Sequence, residues 1–391
     1  MTQAVHRAEC VVIGAGAVGL AVARALALRG REVLIVEAND RIGEEASSRS
    51  NEVVHAGFLY PPGSLKERLC LQGRALLIDY CRQRGIDWRQ TGKLLPAGCE
   101  AEIDMLRALQ QRATELGLQA VQWLDADELR RLEPEMQAPA ALYSPQSGIV
   151  DSHALLLALL ADAEAGGAVL ATRARALTLA ARPQGRWGVA VESAGQELAW
   201  VECEQLVNAA GLGALPLAQT LAGYGPTLLP QLQLAHGSFY AWHGRAPFRH
   251  LVMPVGATLR AGGAFTLDLA GQGRFGPLLQ WVDRPDHRVA AAAAGRFAAA
   301  IARYWPAVDE RRLAPAYAGI QPRTLGPDGS PGDWIFQGPA QHGLAGLVNL
   351  FAIDSPGLTS CLAIAGHVLE LIEPQASPLT PRIEKRSLHA H

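Results

Sequence analysis

The first residues able to do chemistry are Gly14, Gly16 and Gly19, in the run Gly14-Ala15-Gly16-Ala17-Val18-Gly19. They stand between an apolar stretch, Cys10 to Ile13, and an Ala-rich segment from Val18 to Leu28. Between a strand and a helix, the first glycine of this spacing permits a tight turn. The second lets backbone approach a pyrophosphate, and the third allows close helix–strand packing. The helix start then offers backbone N–H groups to the phosphates. Ala23 falls on the face expected to pack on the sheet. The apolar run Val33 to Val36 reads as a second strand ending at Glu37, where a carboxylate accepts hydrogen bonds from ribose hydroxyls. Ala17, Val18 and Ala38 join these residues as expected nucleotide contacts. An acid at Glu37 disfavours a 2′-phosphate, and hence NADP, while leaving FAD and NAD both open.

The long segment Ser47-Ser48-Arg49-Ser50-Asn51-Glu52-Val53-Val54-His55-Ala56-Gly57-Phe58-Leu59-Tyr60-Pro61-Pro62-Gly63-Ser64-Leu65-Lys66 decides between them. It resembles the flavin-embracing loop of the L-2-hydroxyglutarate dehydrogenase/oxidase group, within the D-amino-acid-oxidase-like superfamily of FAD enzymes. The similarity continues at Cys70-Leu71-Gln72-Gly73, Tyr80-Cys81, Gly92-Lys93-Leu94 and Gly148-Ile149-Val150-Asp151. It resumes at Asn208-Ala209-Ala210-Gly211 and Ile353-Asp354-Ser355-Pro356-Gly357-Leu358-Thr359. The resemblance implies FAD as cofactor, and oxidation of a C–H bond beside a hydroxyl or amine. Hydride would pass to flavin N5 while a base takes the O–H or N–H proton. A CH–OH carbon of a 2-hydroxy acid is the leading expectation. A CH–NH carbon of an amino acid or amine is the alternative, and a flavoprotein scaffold without turnover is the competing class.

In this setting Ser47 and Ser48 offer hydroxyls to a pyrophosphate or ribityl chain, and Gly57 allows backbone against an isoalloxazine. Asn51, Ala56 and Ala176 are counted with the cofactor contacts. Ala210 and Gly211 are small enough for close approach after a buried strand, whereas for Asn208 a simple strand-end turn stays open as the alternative. Gly357, Leu358 and Thr359 open the last helix, whose positive end would favour a reduced, anionic flavin. His55 is the foremost catalytic candidate, with three roles open: base, hydrogen-bonding partner or covalent anchor to the flavin. Tyr60 either lines the substrate cavity or packs under Pro61 and Pro62.

The substrate half departs from the resembled group. An arginine expected in a Gly-Ile-Arg-Pro turn, placed to clamp a carboxylate, is replaced in Gly319-Ile320-Gln321-Pro322. Gln321 can hydrogen-bond but carries no charge. A histidine expected in a Gly-Val-His strand is matched by Ala264, and a Lys- or Arg-Gly-x-Tyr-Phe segment by His236-Gly237-Ser238-Phe239-Tyr240. Loss of a buried arginine–carboxylate pair typically costs several kcal/mol, so the substrate is expected to have diverged from L-2-hydroxyglutarate. His236 and Arg323 are the candidates for compensation.

These groups need a scaffold. The chain has 391 residues, of which 49% are hydrophobic and 18% charged, which suits a globular protein of two domains. Its net charge of -2, without an internal basic tract, argues against nucleic acid as partner. The six cysteines lack CxxC or CxxH spacing, so reduced buried thiols are expected and neither disulfides nor a metal site. With no signal-like N-terminus and no apolar run near ~20 residues, the expected location is cytoplasmic, with peripheral membrane contact left open. The electron acceptor, oxygen or a quinone, leaves no trace in the sequence.

The elements read as a βαβ opening with a right-handed crossover. Helices follow over Ser64 to Arg84, Ala101 to Leu116 and Ser152 to Ala165. Strands are expected at Ala168 to Leu170, Gly188 to Val191 and Gln205 to Val207, with antiparallel strands and turns over 228–269. Ala290 to Tyr304 reads as a helix, Gly319 to Gly346 as turn-rich, and Leu358 to Ile372 as a final helix. The fold class is α/β (α+β overall): a Rossmann-type FAD-binding domain, 1–85 with 148–220 and 315–373, interleaved with an antiparallel-sheet substrate domain, 86–147 with 221–314. Residues 374–391 read as a mildly basic solvated tail.

Overall fold

The structure, a computed structural model, describes residues 5–193, 198–326 and 332–372; the tail expected over 374–391 lies outside them. Cys10–Ile13 is buried at every position, as a strand must be when its sheet is covered on both faces. It sits inside a six-stranded sheet ordered Val169–Ala171, Val33–Val36, Cys10–Ile13, Gln205–Asn208, Leu347–Phe351, Ile335–Gln337. The first five strands run parallel and the last is an antiparallel edge.

Side-chain alternation sorts the two faces. Val12, Val207 and Val348 share a core with the helices Ala17–Ala27, Leu65–Arg84, Ser152–Ala165 and Gly357–Ile372. Val11, Ile13, Leu206 and Leu347 pack on the other side with Leu179, Trp187 and Val189. Those last three belong to an antiparallel sheet of Ala174–Arg182, Arg186–Ser193 and Ala199–Cys203, joined at its edge by Val5–Arg7. Helix Leu65–Arg84 is capped by Ser64, whose hydroxyl accepts the Glu67 N–H at 3.1 Å. It stops at Gly85, left-handed at φ 65°.

A second, eight-stranded sheet carries the order Leu313–Arg323, Gln233–Trp242, Gly273–Val282, Phe265–Leu267, Leu251–Val252, Lys93–Ala97, Ala140–Ser144, Gln122–Asp125. Its core is aromatic, with Tyr240, Trp242, Phe248, Phe265, Phe275, Phe297 and Trp305 in one cluster. A small antiparallel sheet of Val53–Val54, Gly148–Val150 and Trp88–Arg89 stands beside the two large ones. The chain passes from the parallel sheet to the eight-stranded one, back, and over again before closing on helix Gly357–Ile372.

Three expectations need correction. Gly319-Ile320-Gln321-Pro322 is no turn: it lies within strand Leu313–Arg323, with Gln321 opposite Ala235. Glycine and proline suggested a turn, but this strand is the sheet edge, where a proline's missing N–H breaks no ladder. Residues 315–323, expected with the nucleotide half, therefore pair in the eight-stranded sheet. The helix expected from Ala290 shrinks to Ala294–Ile301 after a 3-10 turn at Ala291–Ala293. Within 228–269 the first strand begins at Gln233, and Gly256–Arg260 is a short helix.

Candidate active site

The nucleotide end is set by what the glycines leave empty. Gly14 has φ 101°, and a Cβ there would stand 2.5 Å from the Ala209 carbonyl oxygen. A Cβ on Gly19 would sit 1.9 Å from the Gly14 oxygen, so helix Ala17–Ala27 and its strand meet only through glycine. Gly16 caps that helix without a side-chain bond, and Ala17 N–H donates to Ser47 Oγ at 3.0 Å. The helix start, Ser47 and the strand ends therefore converge with no side chain filling the turn. Glu37 is buried and accepts Ala15 N–H and Asn39 N–H, each at 2.8 Å, which fixes its carboxylate with lone pairs to spare. Ala174 N–H donates to the Glu37 oxygen, bringing the strand of Ala176 beside it. Gly211, at φ 56°, opens the turn after Ala210 onto free space. This arrangement fits an adenine dinucleotide: Gly14, Gly16, Ala17, Ser47 and Glu37 would hold its pyrophosphate and ribose.

Other expected contacts also have partners within the protein. Asn208 is fully buried, and its Nδ2 donates to Ala214 O at 2.8 Å and Asn349 Oδ1 at 2.9 Å. It ties neighbouring strands, as the strand-end reading allows. Ser48 is exposed and its hydroxyl reaches Glu45 O at 3.5 Å. Asn51 Oδ1 accepts Val53 N–H at 3.4 Å, a local turn bond. Gly57, at φ 99°, has Leu71 2.8 Å from where a Cβ would be, so it is required by helix packing.

At the other end His55 is buried among fixed partners. Its N–H donates to Thr359 Oγ1 at 3.1 Å, and the Thr359 hydroxyl donates to Val53 O at 3.1 Å. The loop is thereby stitched to the first turn of helix Gly357–Ile372. The ring spans two side chains: Nε2 lies 3.2 Å from Ser355 Oγ and Nδ1 lies 3.4 Å from Lys93 Nζ. Tyr60 approaches edge-on, ring centroids 6.1 Å apart, with its hydroxyl 3.4 Å from Ser355 Oγ. Burial, then the neighbouring Lys93 ammonium, holds the imidazole well below its usual pKa, so it is neutral near pH 7. Burial also pushes the Tyr60 phenol up.

Ser355 is carried by a charged turn. Asp354 is buried and bound by Lys66 Nζ at 2.8 Å, Arg323 Nε at 3.0 Å and Trp334 Nε1 at 3.1 Å. Arg323 also donates to Gln321 Oε1 from Nη2 at 2.7 Å and Nε at 3.1 Å. With both Oε1 lone pairs taken, Gln321 keeps only N–H donors for a ligand. The structure thus brings together His55, Tyr60 and Thr359, and links Gln321 to the Ser355 turn through Arg323 and Asp354. It does not bring His236, which pairs with Ile320 and so points to the opposite sheet face from Gln321. His236 Nε2 contacts Arg288 O at 3.1 Å and Nδ1 contacts Ser238 Oγ at 3.2 Å. Ala264 is buried, its oxygen accepting Gly276 N–H at 2.9 Å. Lys93, Ser355, Asp354 and Lys66 received no role from the sequence, although Gly92-Lys93-Leu94 and Asp354-Ser355 lay in similar segments. A lysine followed by Leu94-Leu95 at a strand start is the one local signal that marked a buried cation.

Known proteins share this fold. The family described as FAD dependent oxidoreductase (DAO) matches residues 9–371. The mitochondrial L-2-hydroxyglutarate dehydrogenase of Arabidopsis thaliana is 37% identical over 405 residues, covering 94% of this chain and 84% of that protein. The Homo sapiens protein of that name is 37% identical over 165 residues, which is 41% of this chain and 36% of that one. Among solved structures, FAD-bound L-alpha-glycerophosphate oxidase from Mycoplasma pneumoniae superposes with a TM-score of 0.84 at 20% identity, covering 94% of this chain and 95% of that chain. Glycine oxidase from Geobacillus kaustophilus gives 0.77 at 22% identity over 98% of this chain and 100% of that chain.

Proposed function

The chain belongs to the FAD dependent oxidoreductase family, and from that membership we propose that it oxidises a small 2-hydroxy acid at its CH–OH carbon, with His55 taking the hydroxyl proton. Bound FAD supplies the hydride acceptor of such a reaction. The observation that carries the reading is the setting of His55, an imidazole kept neutral by burial and pinned between Ser355 and Lys93. A neutral, oriented imidazole is what a general base requires. Its backbone is held by Thr359, in the helix turn where a positive dipole end would face a negative group.

A carboxylate on the substrate suits the charges nearby. Arg323 shares Asp354 with Lys66, acts on Tyr60 and lies beside Gln321, which makes it the cation available to a substrate carboxylate. Gln321 adds amide donors and no second charge. We therefore place a one-carboxylate 2-hydroxy acid ahead of the dicarboxylate named for the relatives. Buried thiols at Cys70, Cys81, Cys203 and Cys361, none in a disulfide, suit a reducing compartment such as the cytoplasm; the relatives are named as mitochondrial. No helix among the described residues is long and apolar enough to cross a membrane.

The test is anaerobic mixing of the yellow holoprotein with L-2-hydroxyglutarate, short 2-hydroxy monocarboxylates, amino acids, amines and simple alcohols. Loss of the flavin's visible absorbance with the hydroxy acids is expected, fastest with the monocarboxylates. Bleaching by amino acids or amines alone, or by nothing in the panel, refutes the assignment. Reoxidation of the bleached enzyme by air or by a soluble quinone then identifies the acceptor.

A further inference from the structure

Lys93 has no place in the reaction as described so far. It opens strand Lys93–Ala97 with its side chain in the interior, 2% exposed. Its Nζ faces His55 Nδ1 at 3.4 Å, and no carboxylate among the described residues pairs with it. Cys70 faces it from helix Leu65–Arg84, with Arg74 of that helix acting on Cys70 in turn. Its strand neighbours are Ser144 on one side and Leu251 on the other, neither of them charged. Beyond His55 stand Ser355 and Tyr60, the latter under the influence of Asp354 and Arg323. An unpaired cation in such a place is costly unless it can give up its proton. Burial accordingly pulls the Lys93 pKa down to about 8.

The contact with His55 has a logical consequence. An ammonium can only donate, so a charged Lys93 makes Nδ1 an acceptor and forces the ring proton onto Nε2. That nitrogen then has no lone pair with which to take a proton from a substrate. A neutral amine has a lone pair and can accept, so the ring proton is free to sit on Nδ1, which leaves Nε2 as a base. Ser355 follows either state, since its hydroxyl rotates between donor and acceptor.

We propose that Lys93 is a positioning residue and proton store behind His55: its protonation state selects the imidazole tautomer, and only the amine form arms Nε2. The proposal rests on the reading of His55 as the base. In the productive state the substrate O–H bond breaks and its proton joins Nε2. The Nδ1–H bond breaks at the other end of the ring, and that proton joins Lys93 Nζ. The hydrogen on the hydroxyl-bearing carbon would leave with its electron pair, FAD, the oxidant of the family, supplying the acceptor when bound. His55 remains neutral, and the positive charge comes to rest on Lys93.

Two measurements test this. The first uses wild-type holoprotein with 15N-labelled histidine, His55 being assigned by its loss in His55→Asn. The Nδ1 and Nε2 signals should exchange protonated character with a midpoint near the lysine's value of about 8. A ring that keeps one tautomer from pH ~6.5 to pH ~9.5 overturns the proposal. The second follows anaerobic flavin reduction by whichever hydroxy acid reacts. The neutral fraction of a group titrating near 8 climbs from ~10% at pH 7 to ~90% at pH 9, so the wild-type rate should rise ~10-fold. Lys93→Met should be slower and flat across that range, with the visible flavin spectrum unchanged. Lys93→Arg restores charge but cannot store a proton, and should not rescue the rise. A rise that persists in Lys93→Met, or returns in Lys93→Arg, overturns the proposal. Undiminished flavin reduction in His55→Asn instead removes the base reading beneath it. An inactive His55→Asn beside an unaltered pH profile in Lys93→Met sinks the relay alone.

Discussion

Asp354→Asn is the perturbation whose size the structure sets most directly. The carboxylate is 2% exposed and bridges Lys66 at 6% and Arg323 at 14%, while also accepting the Trp334 indole N–H. An amide keeps the shape and removes the charge, so two buried cations are left facing each other without a counter-ion. Breaking a buried pair in this way costs ~3–5 kcal/mol, because the stranded charge cannot be solvated. With a slope of about 3 kcal/mol per molar urea, the unfolding midpoint should fall by ~1 M or more. Equilibrium urea unfolding of the holoprotein, followed by flavin fluorescence and far-UV circular dichroism together, reads this out. Asp286→Asn is the control. Its partner Arg288 has a side chain 91% exposed, so no shift in the midpoint is expected there despite the short 2.7 Å contact. Adding Lys66→Met to Asp354→Asn should recover part of the loss, since one stranded cation is gone. A midpoint within error of wild type in Asp354→Asn would refute the claim that this cluster holds the Ser355 turn.

Three further outcomes follow from the same structure. Gly14→Ala puts a methyl group 2.5 Å from the Ala209 oxygen at φ 101°, so the protein should be purified colourless or lose FAD on gel filtration; backbone strain of this kind costs ~1–3 kcal/mol, and full retention of FAD would contradict it. Lys93→Met should stabilise the fold at pH 7. The folded-state pKa of about 8 lies below the ordinary 10.5, so the charged lysine weakens the fold by about 3 kcal/mol below pH 8. That penalty fades as pH rises from 8 to 10.5, and thermal unfolding at pH 7 and pH 10.5 checks the sign. Gln321→Arg should move the preference between L-2-hydroxyglutarate and a one-carboxylate hydroxy acid ~10-fold toward the former, the weight of one well-placed charged hydrogen bond, as read by the ratio of kcat/KM values.

What the sequence made legible is what short-range chemistry decides. The glycines at 14 and 19 meet a steric need, with Ala209 and the Gly14 oxygen where a Cβ would go. Helices Leu65–Arg84 and Ser152–Ala165 carry their caps at Ser64 and Asp151, visible in the sequence itself. Misreadings arose where meaning depends on a distant partner. Gln321-Pro322 reads locally as a turn because nothing local says the strand is an edge. At Gly57 the partner that the structure adds is Leu71, fourteen residues on, where a Cβ would go. The resemblance groups His236 with Gln321 in one substrate cavity, although register against Ile320 turns it to the other face. Lys93 reaches His55 across 38 residues, and Asp354 gathers Lys66 and Arg323 from a helix and another sheet. No window of sequence contains those pairs.

The same long-range view explains the glutamine. Gln321 Oε1 accepts two bonds from Arg323, and Arg323 in turn neutralises Asp354. An arginine at 321 would meet the Arg323 guanidinium with repulsion, in a cluster where Lys66 already gives cations the majority. Arginine at 321 and arginine at 323 are therefore competitors for one buried carboxylate, and neutrality at 321 is the condition for Arg323 to lie as it does. Neutrality at 321 and the cation at 323 are therefore coupled: the positive charge of this edge strand is tied to the turn that carries Ser355. On this argument Gln321→Arg combined with Arg323→Lys should gain more dicarboxylate preference, and lose less stability, than Gln321→Arg alone. The shorter reach of a lysine bond removes the clash of guanidinium planes while keeping a partner for Asp354.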